Sequence, residues 1–265
     1  MDKKYILNRI KAYILRYSYP KPTKKEFEGL LKSIHPKATN AHLIRLGGEE
    51  DGGYLVPNDL ENLEACFSPG VGGRSTFEID CAEQGMKIFM ADGSIKKPSL
   101  KDLRFNFIEK FIGGKNRKDF ITLENWIATS HIDINKDLLL QMDIEGFEYE
   151  VLKATSVETL KKFRIIIIEF HMLTSIGYPY YYQRTKNALE KLLLNHTCVH
   201  IHPNNACGKE KIFDIEVPGV AEFTFLRNDR IYEKRELLSL PHPLDIDNSL
   251  EHDPLVLSKF WYRSR

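Results

Sequence analysis

The sequence predicts an α/β domain with a functional site at the ends of its central strands. Two short apolar blocks each run into charged groups, the first at Asp143 and Glu145 and the second at Glu169 and His171. Such blocks are typical of buried strands whose ends open into a site. Ligands of open α/β sheets bind outside the carboxyl ends of the strands, so these four side chains are candidates for chemistry.

Composition narrows the class of protein. A chain of 265 residues suits one α/β domain with an appendage. The 38 lysines and arginines balance 37 acids, and the net charge of +1 argues against nucleic acid or a membrane surface as partner. The four cysteines form no C-x-x-C pair, which predicts a reduced, cytoplasmic protein. No signal peptide or transmembrane run is apparent.

The first 45 residues predict a basic helical extension. Residues 1–46 hold eleven lysines and arginines but only three acids. One helix is expected to end before Pro20, and a second to run from Glu26 to Ile34. We expect this pair to pack on the domain with its basic face in solvent; a docking surface for a phosphorylated substrate or a subunit is the alternative. The apolar stripe of the first helix consists of Ile6, Ile10, Tyr13, Ile14 and Tyr17.

The next segments predict a hairpin and a cofactor-binding turn. Asp51 and two glycines between apolar runs, from Leu43 to Pro57, indicate the hairpin. A strand at residues 65–67 is followed by a glycine-rich turn and by a helix from Ser75 to Gln84. Glycines let the backbone approach a bound molecule, and the N-terminus of the helix favours an anionic or polar group.

A second strand ends at Asp92, where an acidic side chain often holds the hydroxyls of a ribose. Together with the glycine turn, Asp92 indicates a cofactor that carries a nucleoside. Residues 105–112 predict a third strand or a mixed segment, and a helix follows from Thr122.

The second half of the chain continues the alternation. A helix from Tyr149 to Phe163 is expected between the two charged strand ends, and a loop from Thr174 to Tyr182 before a helix from Gln183 to Asn195. Two further strands follow, at residues 198–205 and 220–227. The first places His200 and His202 on one face, because side chains two apart share a face, and the second contains Glu222.

The glycine turn distinguishes two classes of nucleotide-binding enzyme. A dinucleotide fingerprint requires a third glycine three positions after Gly72, where this chain has Ser75. The strands that end with DIEG and EFH, and the pair at His200 and Glu222 that follows, also differ from the second parallel half of a dinucleotide-binding fold. A methyl-transfer enzyme therefore fits better than an oxidoreductase.

Four segments, MDIEGFEYEVLK, RIIIIEFH, HIHPNN and VAEFTFLR, resemble the FkbM-type S-adenosylmethionine-dependent methyltransferases, over roughly Leu46 to Asn228. The resemblance implies a class I methyltransferase (Rossmann-like) sheet of seven strands, the last antiparallel. It implies a domain at 46–230, between the extension at 1–45 and a packed tail at 231–265. It also implies S-adenosylmethionine as donor and an acceptor hydroxyl on a sugar or nucleotide-linked sugar, in surface polysaccharide biosynthesis.

By position, the resemblance implies that Ser68 to Gly73 wrap the amino acid part of the donor, that Asp92 holds its ribose, and that Met142 and Asp143 border the methyl group. The first turn lacks the acid that many members have, and Glu78 or Asp51 is expected to contact the donor's ammonium instead. The implied donor-binding set is Ser68, Pro69, Gly70, Val71, Gly72, Glu78, Asp92, Gly93, Met142 and Asp143.

A sugar hydroxyl is too weak an acid to ionise unaided, so two hypotheses remain for its activation. In the first, His171 or His200 is the general base and Glu169 or Asp143 orients it. In the second, Asp143, Glu169 and His171 hold a divalent metal, magnesium or manganese.

The remaining alternatives are a nucleotide-binding oxidoreductase and a non-catalytic binding domain on the same fold. The basic extension and Arg184 favour an acceptor with a phosphate, such as a nucleotide sugar. A small-molecule acceptor, no nucleic acid and a homo-oligomer complete the expected partners.

Overall fold

The computed structural model describes residues 19–49, 51–72, 75–100 and 102–263 of the protein. The helices are α1 (Lys24–Ser33), α2 (Thr76–Glu83), α3 (Leu123–Thr129), α4 (Glu148–Ala154), α5 (Val157–Leu160) and α6 (Pro179–Leu193). The strands are β1 (Lys37–Thr39), β2 (Leu43–Leu46), β3 (Tyr54–Pro57), β4 (Ala65–Pro69), β5 (Lys87–Ala91), β6 (Phe105–Ile108), β7 (Phe111–Ile112), β8 (Phe120–Ile121), β9 (Leu138–Met142), β10 (Phe163–Phe170), β11 (His196–Pro203), β12 (Lys209–Ile212), β13 (Ile215–Pro218), β14 (Ala221–Arg227) and β15 (Lys234–Glu236).

A seven-stranded mixed sheet organises the fold, in the order β11-β14-β10-β9-β4-β5-β6. The strands from β10 to β6 pair in parallel. Strand β14, the last of the seven along the chain, is antiparallel to both of its neighbours. From β4 the chain proceeds outward through β5 and β6, whereas from β9 it proceeds the other way to β10. The order therefore reverses between β4 and β9, where open α/β sheets bind their ligands.

Both faces of this sheet are covered, which explains the continuous apolar runs in its sequence. Phe67 and Leu140 belong to the hydrophobic cluster that includes side chains of α1, α3, α4 and α6. The adjacent residues Cys66 and Leu139 belong to the opposite cluster, with α2 and the β2–β3 hairpin. All four side chains are fully buried. Successive residues of each strand thus enter different cores.

The loops after β4 and β9 approach each other closely. Gly70, directly after β4, has φ +84, and a Cβ atom there would lie 1.5 Å from the carbonyl oxygen of Asp143. The N–H of Gly70 donates to Ala91 O (3.0 Å), and that of Asp143 donates to Pro69 O (3.3 Å). Only glycine fits at position 70, so the glycine turn serves the packing of the two loops.

The segments near the two ends of the described chain pack against each other. Helix α1 begins with a capping box between Thr23 and Glu26, and it confirms the helix predicted from Glu26 to Ile34. Strand β1 pairs with β15, and Trp261 is fully buried, where its Nε1 donates to Glu216 O (2.8 Å). The apolar stripe predicted at Ile6 to Tyr17 lies outside the described residues. No helix in the described ranges is long and apolar enough to cross a bilayer.

Two predictions in the second half were wrong in detail. The helix expected from Tyr149 to Phe163 is two helices, because Thr155 is extended and Ser156 caps α5. The loop expected from Thr174 to Tyr182 is a short 3₁₀ turn followed by α6, which begins at Pro179. Proline is well suited to the first position of a helix, so it begins α6 there.

Candidate functional site

The charged residues at the ends of β9 and β10 form one cluster. His171 Nε2 lies 3.7 Å from Asp143 Oδ1 and 3.4 Å from Glu145 Oε2. Glu169 is the second-to-last residue of β10 and is buried, and its Oε1 accepts a hydrogen bond from Asn204 Nδ2 (2.9 Å). The parallel register of β9 and β10 brings Asp143 beside Glu169. The cluster predicted from the two strand ends therefore assembles at the reversal of the sheet.

A fifth residue, Glu148, holds this cluster in place. Its Oε1 accepts hydrogen bonds from the N–H groups of Ile144 (3.2 Å) and Gly146 (3.0 Å) and lies 3.1 Å from His171 Nδ1. His171 Nδ1 also lies 3.2 Å from Glu169 O. Both partners of Nδ1 are acceptors, so Nδ1 carries the hydrogen and Nε2 faces Asp143 and Glu145.

The backbone around the cluster adopts left-handed conformations at non-glycine residues. Glu145 has φ +56 and Met172 has φ +59, and Gly146, which follows Glu145, has φ +97. Such conformations cost of order 1–3 kcal/mol and concentrate at functional sites, where the surrounding structure enforces them. The hydrogen bonds of Glu148 to this loop supply that enforcement.

Burial and mutual charge shift the pKa values of the cluster. Burial raises the pKa of Asp143, and the charge of Glu169 raises it further. Burial also raises the pKa of Glu169, although Asn204 and His171 oppose the shift. For His171, burial opposes protonation, but the hydrogen bond to Glu148 and the nearby carboxylates outweigh it and raise the pKa to about 9. The site therefore holds protons at neutral pH, and His171 is cationic.

Acidic groups continue across the sheet from Glu169. Glu222 on β14 lies opposite Glu169, and His202 on β11 lies opposite Glu222. Burial raises the pKa of Glu222 to about 7, against the opposing charge of His202. His200 Nε2, in contrast, lies 2.8 Å from Asp245 Oδ1, and both side chains are buried. The structure thus pairs His200 with the C-terminal segment and separates it from the cluster around His171.

The same C-terminal segment reaches the β2–β3 loop. Asn248 Nδ2 donates to Asp51 Oδ1 (3.0 Å) and to Glu222 Oε1 (2.9 Å). One amide therefore connects the hairpin loop, β14 and the C-terminal segment.

A polar cavity of about 240 Å³ lies beside the glycine turn. The Ser68 hydroxyl contacts the carboxylate of Glu78 and lies 2.8 Å from Gln141 Oε1, and Gln141 Nε2 donates to Tyr54 Oη (3.0 Å). Burial raises the pKa of Glu78, although the bond from Ser68 opposes the shift. The cavity is lined by Asp51, Gly52, Tyr54, Gly70, Val71, Gly72, Phe77, Glu78, Gln141 and Asp143.

An apolar cavity of about 370 Å³ lies on the other side of Gly70 and Asp143. Asp92 Oδ1 accepts from the N–H (2.7 Å) and hydroxyl (2.6 Å) of Ser94, while among the described residues its Oδ2 has one long contact, to Gly72 N (3.4 Å). The rings of Phe111 and Phe120 lie 5.4 Å apart. The cavity is lined by Gly70, Ala91, Asp92, Ser94, Phe111, Ile112, Phe120, Asp143, Ile144, Glu145 and Phe147.

An outer cavity of about 700 Å³ lies between α4 and α6 and shares Glu145 and Phe147 with the apolar cavity. Inside it the guanidinium carbon of Arg184 lies 4.0 Å from the ring centre of Tyr149 and 4.8 Å from that of Tyr181. The cavity is lined by Tyr19, Gly114, Lys115, Glu145, Gly146, Phe147, Tyr149, Glu150, Lys153, Ala154, Met172, Tyr180, Gln183, Arg184 and Asn187.

A comparison with known protein families identifies the domain that contains this site. The family model of the methyltransferase FkbM domain matches residues 56–196, more than half of the chain. The chain belongs to the FkbM methyltransferase family. The resemblance drawn from its motifs is thereby confirmed, and the matched range contains the glycine turn, Asp92 and the cluster around His171. A search of curated proteins gives no significant match to this chain.

Within this FkbM domain, most of the residues implied for donor binding line the polar or apolar cavity, and four do not. Met142 is fully buried in the hydrophobic core. Gly93 lies under the ring of Phe111, which a Cβ atom would approach to 2.5 Å. Ser68 is fully buried and positions Glu78, and the carbonyl of Pro69 bonds to the backbone of Asp143. These four residues therefore line neither cavity and instead pack against the residues around the site.

Sequence reasoning missed three groups of the FkbM site. Glu148 begins α4, where an acid commonly favours the helix dipole, yet it bonds to His171 and to the loop after β9. The aromatic wall of Phe111 and Phe120 was not recognised, because these residues lie in two short strands of irregular sequence. Tyr149 donates its hydroxyl to His171 O (2.7 Å). The motif D-x-E-G-x-E was the one available signal for Glu148.

A metal ion would meet a different ligand set from the one predicted. Asp143, Glu145 and His171 each offer one ligand atom within 4.8 Å of the others. Asp143 Oδ1 is buried and accepts no hydrogen bond from any described residue. The carboxylate oxygens among these ligands suit magnesium or manganese. The geometry thus favours Glu145 over Glu169 as the third ligand.

Proposed function

We propose that this FkbM methyltransferase domain transfers a methyl group from S-adenosylmethionine to a hydroxyl of a sugar or nucleotide-linked sugar, in surface polysaccharide biosynthesis. We further infer a class I, Rossmann-like methyltransferase domain at residues 46–230, with an extension at 1–45 and a packed tail at 231–265. The order of the sheet and its antiparallel β14 support this assignment.

One observation carries the proposal: the polar and the apolar cavities share Gly70 and Asp143 as walls. S-adenosylmethionine has a charged amino acid end, a nucleoside end and the reactive sulfonium between them. The polar cavity matches the amino acid end, and the apolar cavity matches the nucleoside end. Asp143, which lines both cavities, matches the sulfonium between the two ends. Asp143 would then lie nearest the sulfonium.

The polar cavity fits the amino acid end. Glu78 and Asp51 line it and can accept hydrogen bonds from an ammonium group. A cation there would offset the cost of the buried Glu78 carboxylate. The turn residues Gly70, Val71 and Gly72 line the same cavity.

The apolar cavity fits the nucleoside end. Asp92 Oδ2 remains largely free to accept from ribose hydroxyls, because Ser94 occupies Oδ1. Phe111 and Phe120 offer faces for the adenine ring, and base–aromatic stacking of this kind contributes about 1–3 kcal/mol.

In the mechanism, bound S-adenosylmethionine supplies an electrophilic methyl group. His171 Nε2 accepts the proton of the acceptor hydroxyl after losing its own, since Nδ1 is fixed as a donor to Glu148. The carboxylate of Glu145, 3.4 Å from Nε2, stabilises the imidazolium that results, and Asp143 lies 3.7 Å from the same nitrogen. The residues around the outer cavity hold the acceptor, and alignment of the reacting groups lowers the barrier by several kcal/mol.

A divalent cation at Asp143, Glu145 and His171 is the second arrangement that this site supports. The buried Asp143 Oδ1, which no described group satisfies, favours it. A bound cation would supply Lewis-acid activation of the acceptor hydroxyl. Activity that survives exhaustive chelation would exclude the cation, whereas loss on chelation and recovery with magnesium or manganese would support it.

Calorimetry with S-adenosylhomocysteine tests the donor assignment. We expect binding at micromolar ligand, and the absence of binding at millimolar ligand would contradict the proposal. Binding of a nicotinamide dinucleotide instead would support the oxidoreductase alternative. A screen of sugars and nucleotide sugars with a labelled methyl donor then identifies the acceptor, and donor binding without transfer to any acceptor would favour a non-catalytic domain.

A further inference from the structure

The outer cavity contains a guanidinium group, that of Arg184, with two nitrogens that have no hydrogen-bond partner among the described residues. Arg184 Nε and Nη2 are buried, and neither donates a hydrogen bond to any described residue. A buried donor that stays unsatisfied costs about 1–3 kcal/mol, and more when it is charged. These two nitrogens form one edge of the guanidinium, the edge that binds two oxygens of a phosphate or carboxylate side by side.

The rings on either side fix the guanidinium in the cavity. Tyr149 and Tyr181 stack on Arg184 at 4.0 Å and 4.8 Å. Cation–π contacts orient the planar group without using its N–H donors. Arg184 is therefore held in position by contacts that leave Nε and Nη2 without a hydrogen bond to any described residue.

The charged side chains that line the outer cavity are mostly basic. Glu145 lies at the end shared with the cluster around His171, whereas Lys115 and Lys153 line the wall together with Arg184. Glu150 is the other acid of the wall, so the three cations outnumber the two acids. A ligand with a hydroxyl at one end and a negative charge at the other would match this polarity.

Arg184 is close to the transfer site. Tyr149, whose ring stacks on Arg184, donates its hydroxyl to the carbonyl of His171 (2.7 Å). One tyrosine ring therefore separates the guanidinium from the backbone of the proton acceptor. Arg184 and Glu145, which lies 3.4 Å from His171 Nε2, line the same cavity, so an anionic group bound at Arg184 would share this cavity with the acceptor hydroxyl.

We propose that Arg184 binds an anionic oxygen group of the acceptor, a phosphate or a carboxylate, and so makes this a subsite for acidic or phosphate-linked sugars. The inference rests on the proposed function, since it assigns the outer cavity to the methyl acceptor. It adds the chemical class that the acceptor must carry.

The test measures anion binding by calorimetry at constant ionic strength, with S-adenosylhomocysteine present. The probes are inorganic pyrophosphate, for a phosphate-linked acceptor, and glucuronate, for an acidic sugar. We expect one of them to bind to the native protein and Arg184→Gln to weaken its Kd by about 10- to 100-fold, as for the loss of a charge-assisted bidentate contact. Arg184→Lys, which keeps the charge but not the fork, should lie between the two.

Lys186→Gln is the matched control, because Lys186 lies on the same helix and pairs with Glu190 at 3.8 Å. It should leave the Kd of both anions unchanged. A purely structural Arg184 would lower the melting temperature of Arg184→Gln without changing anion affinity, and that result would overturn the inference. So would failure of both probes to bind the native protein. Binding of S-adenosylhomocysteine in the same samples reports on the donor site separately, so either proposal can fail alone.

Discussion

The carboxylate oxygen Oε1 of Glu148 lies 3.1 Å from Nδ1 of His171 and accepts two backbone hydrogen bonds from the loop after β9. A single buried atom thus connects the end of β9, which carries Asp143, to the end of β10, which carries His171. Glu148 touches no acceptor in this arrangement. It acts through the imidazole, whose tautomer and charge it sets.

Replacement of this contact should move the pH dependence of methyl transfer. His171 accepts a proton only in its neutral form, so kcat should rise with pH towards about 9, the raised pKa of His171. Glu148→Gln removes a negative charge beside the imidazole and so lowers the pKa of His171. The rise of kcat with pH should therefore move to lower pH by about one unit or more. A pH profile of kcat measures the shift.

The control for that experiment is Glu158→Gln, an exposed acid of α5. Its profile should match that of the native protein. If kcat of Glu148→Gln also rises at the same pH as in the native protein, the charge of His171 is not governed by Glu148.

The two candidate bases should differ in what their loss affects. His171→Gln should lower kcat by about 10²- to 10⁴-fold, as expected for a general base, with affinity for S-adenosylhomocysteine retained. His200→Gln should instead lower the melting temperature, because the buried Asp245 would lose the imidazole that lies 2.8 Å from its carboxylate. Single-turnover rates and thermal unfolding of both variants separate these effects; an undiminished kcat in His171→Gln would exclude it as the base.

Gly70→Ala should abolish binding of S-adenosylhomocysteine. The new Cβ would lie 1.5 Å from the carbonyl of Asp143, so the loops after β4 and β9 must separate and open the wall shared by the two cavities. Gly85→Ala is the matched control: Gly85 has a similar φ of +87 but nothing within 4 Å of its Cβ position. It should lose only about 1 kcal/mol of stability and keep its ligand affinity. Equal affinities in calorimetry would show that the close approach is not required.

An ion network at the opposite end of the sheet should control stability in acid. Asp137 contacts Arg227 Nη1 (2.6 Å) and Arg164 Nε (2.9 Å). Burial would raise the pKa of Asp137, but its bonds to Arg227 and Arg164 outweigh this and lower it. Because the folded-state pKa is depressed, the stabilisation is present above the ordinary carboxylate pKa and is lost as pH falls below about 4.

Asp137→Asn should therefore lower the free energy of unfolding by about 1–3 kcal/mol at neutral pH, and by less as the pH falls. Urea unfolding at several pH values measures the difference. Asp133→Asn, at an exposed neighbour, should change little. A deficit of Asp137→Asn that stays constant down to pH 3 would contradict the role of its charge.

The gathering of Asp143, Glu169 and His171 could be predicted from sequence because parallel strands align their carboxyl ends. Each apolar run is long enough to identify a strand, and the charged residues mark where it ends. Asp92 follows from the same logic on β5. These inferences need only the local pattern and the fact that the strands are neighbours.

The roles of Glu148 and His200 could not be predicted in this way. Glu148 reaches His171 only because the loop before it turns through left-handed conformations at Glu145 and Gly146, which the sequence does not specify at Glu145. His200 and His202 do share a strand face, but the partner of His200 is Asp245, in a segment without regular pattern. Long-range partners of this kind depend on tertiary packing.

The bridge made by Asn248 between Asp51 and Glu222 has a consequence for the order of assembly. These three residues lie far apart in sequence, and contacts of such separation form late in folding, after the cost of closing the long loops has been met. Docking of the C-terminal segment therefore adds a contact that holds the β2–β3 loop beside the polar cavity. Because Asp51 and Asn248 are hydrogen-bonded, a ligand that binds at Asp51 in the finished cavity would also stabilise the docked C-terminal segment.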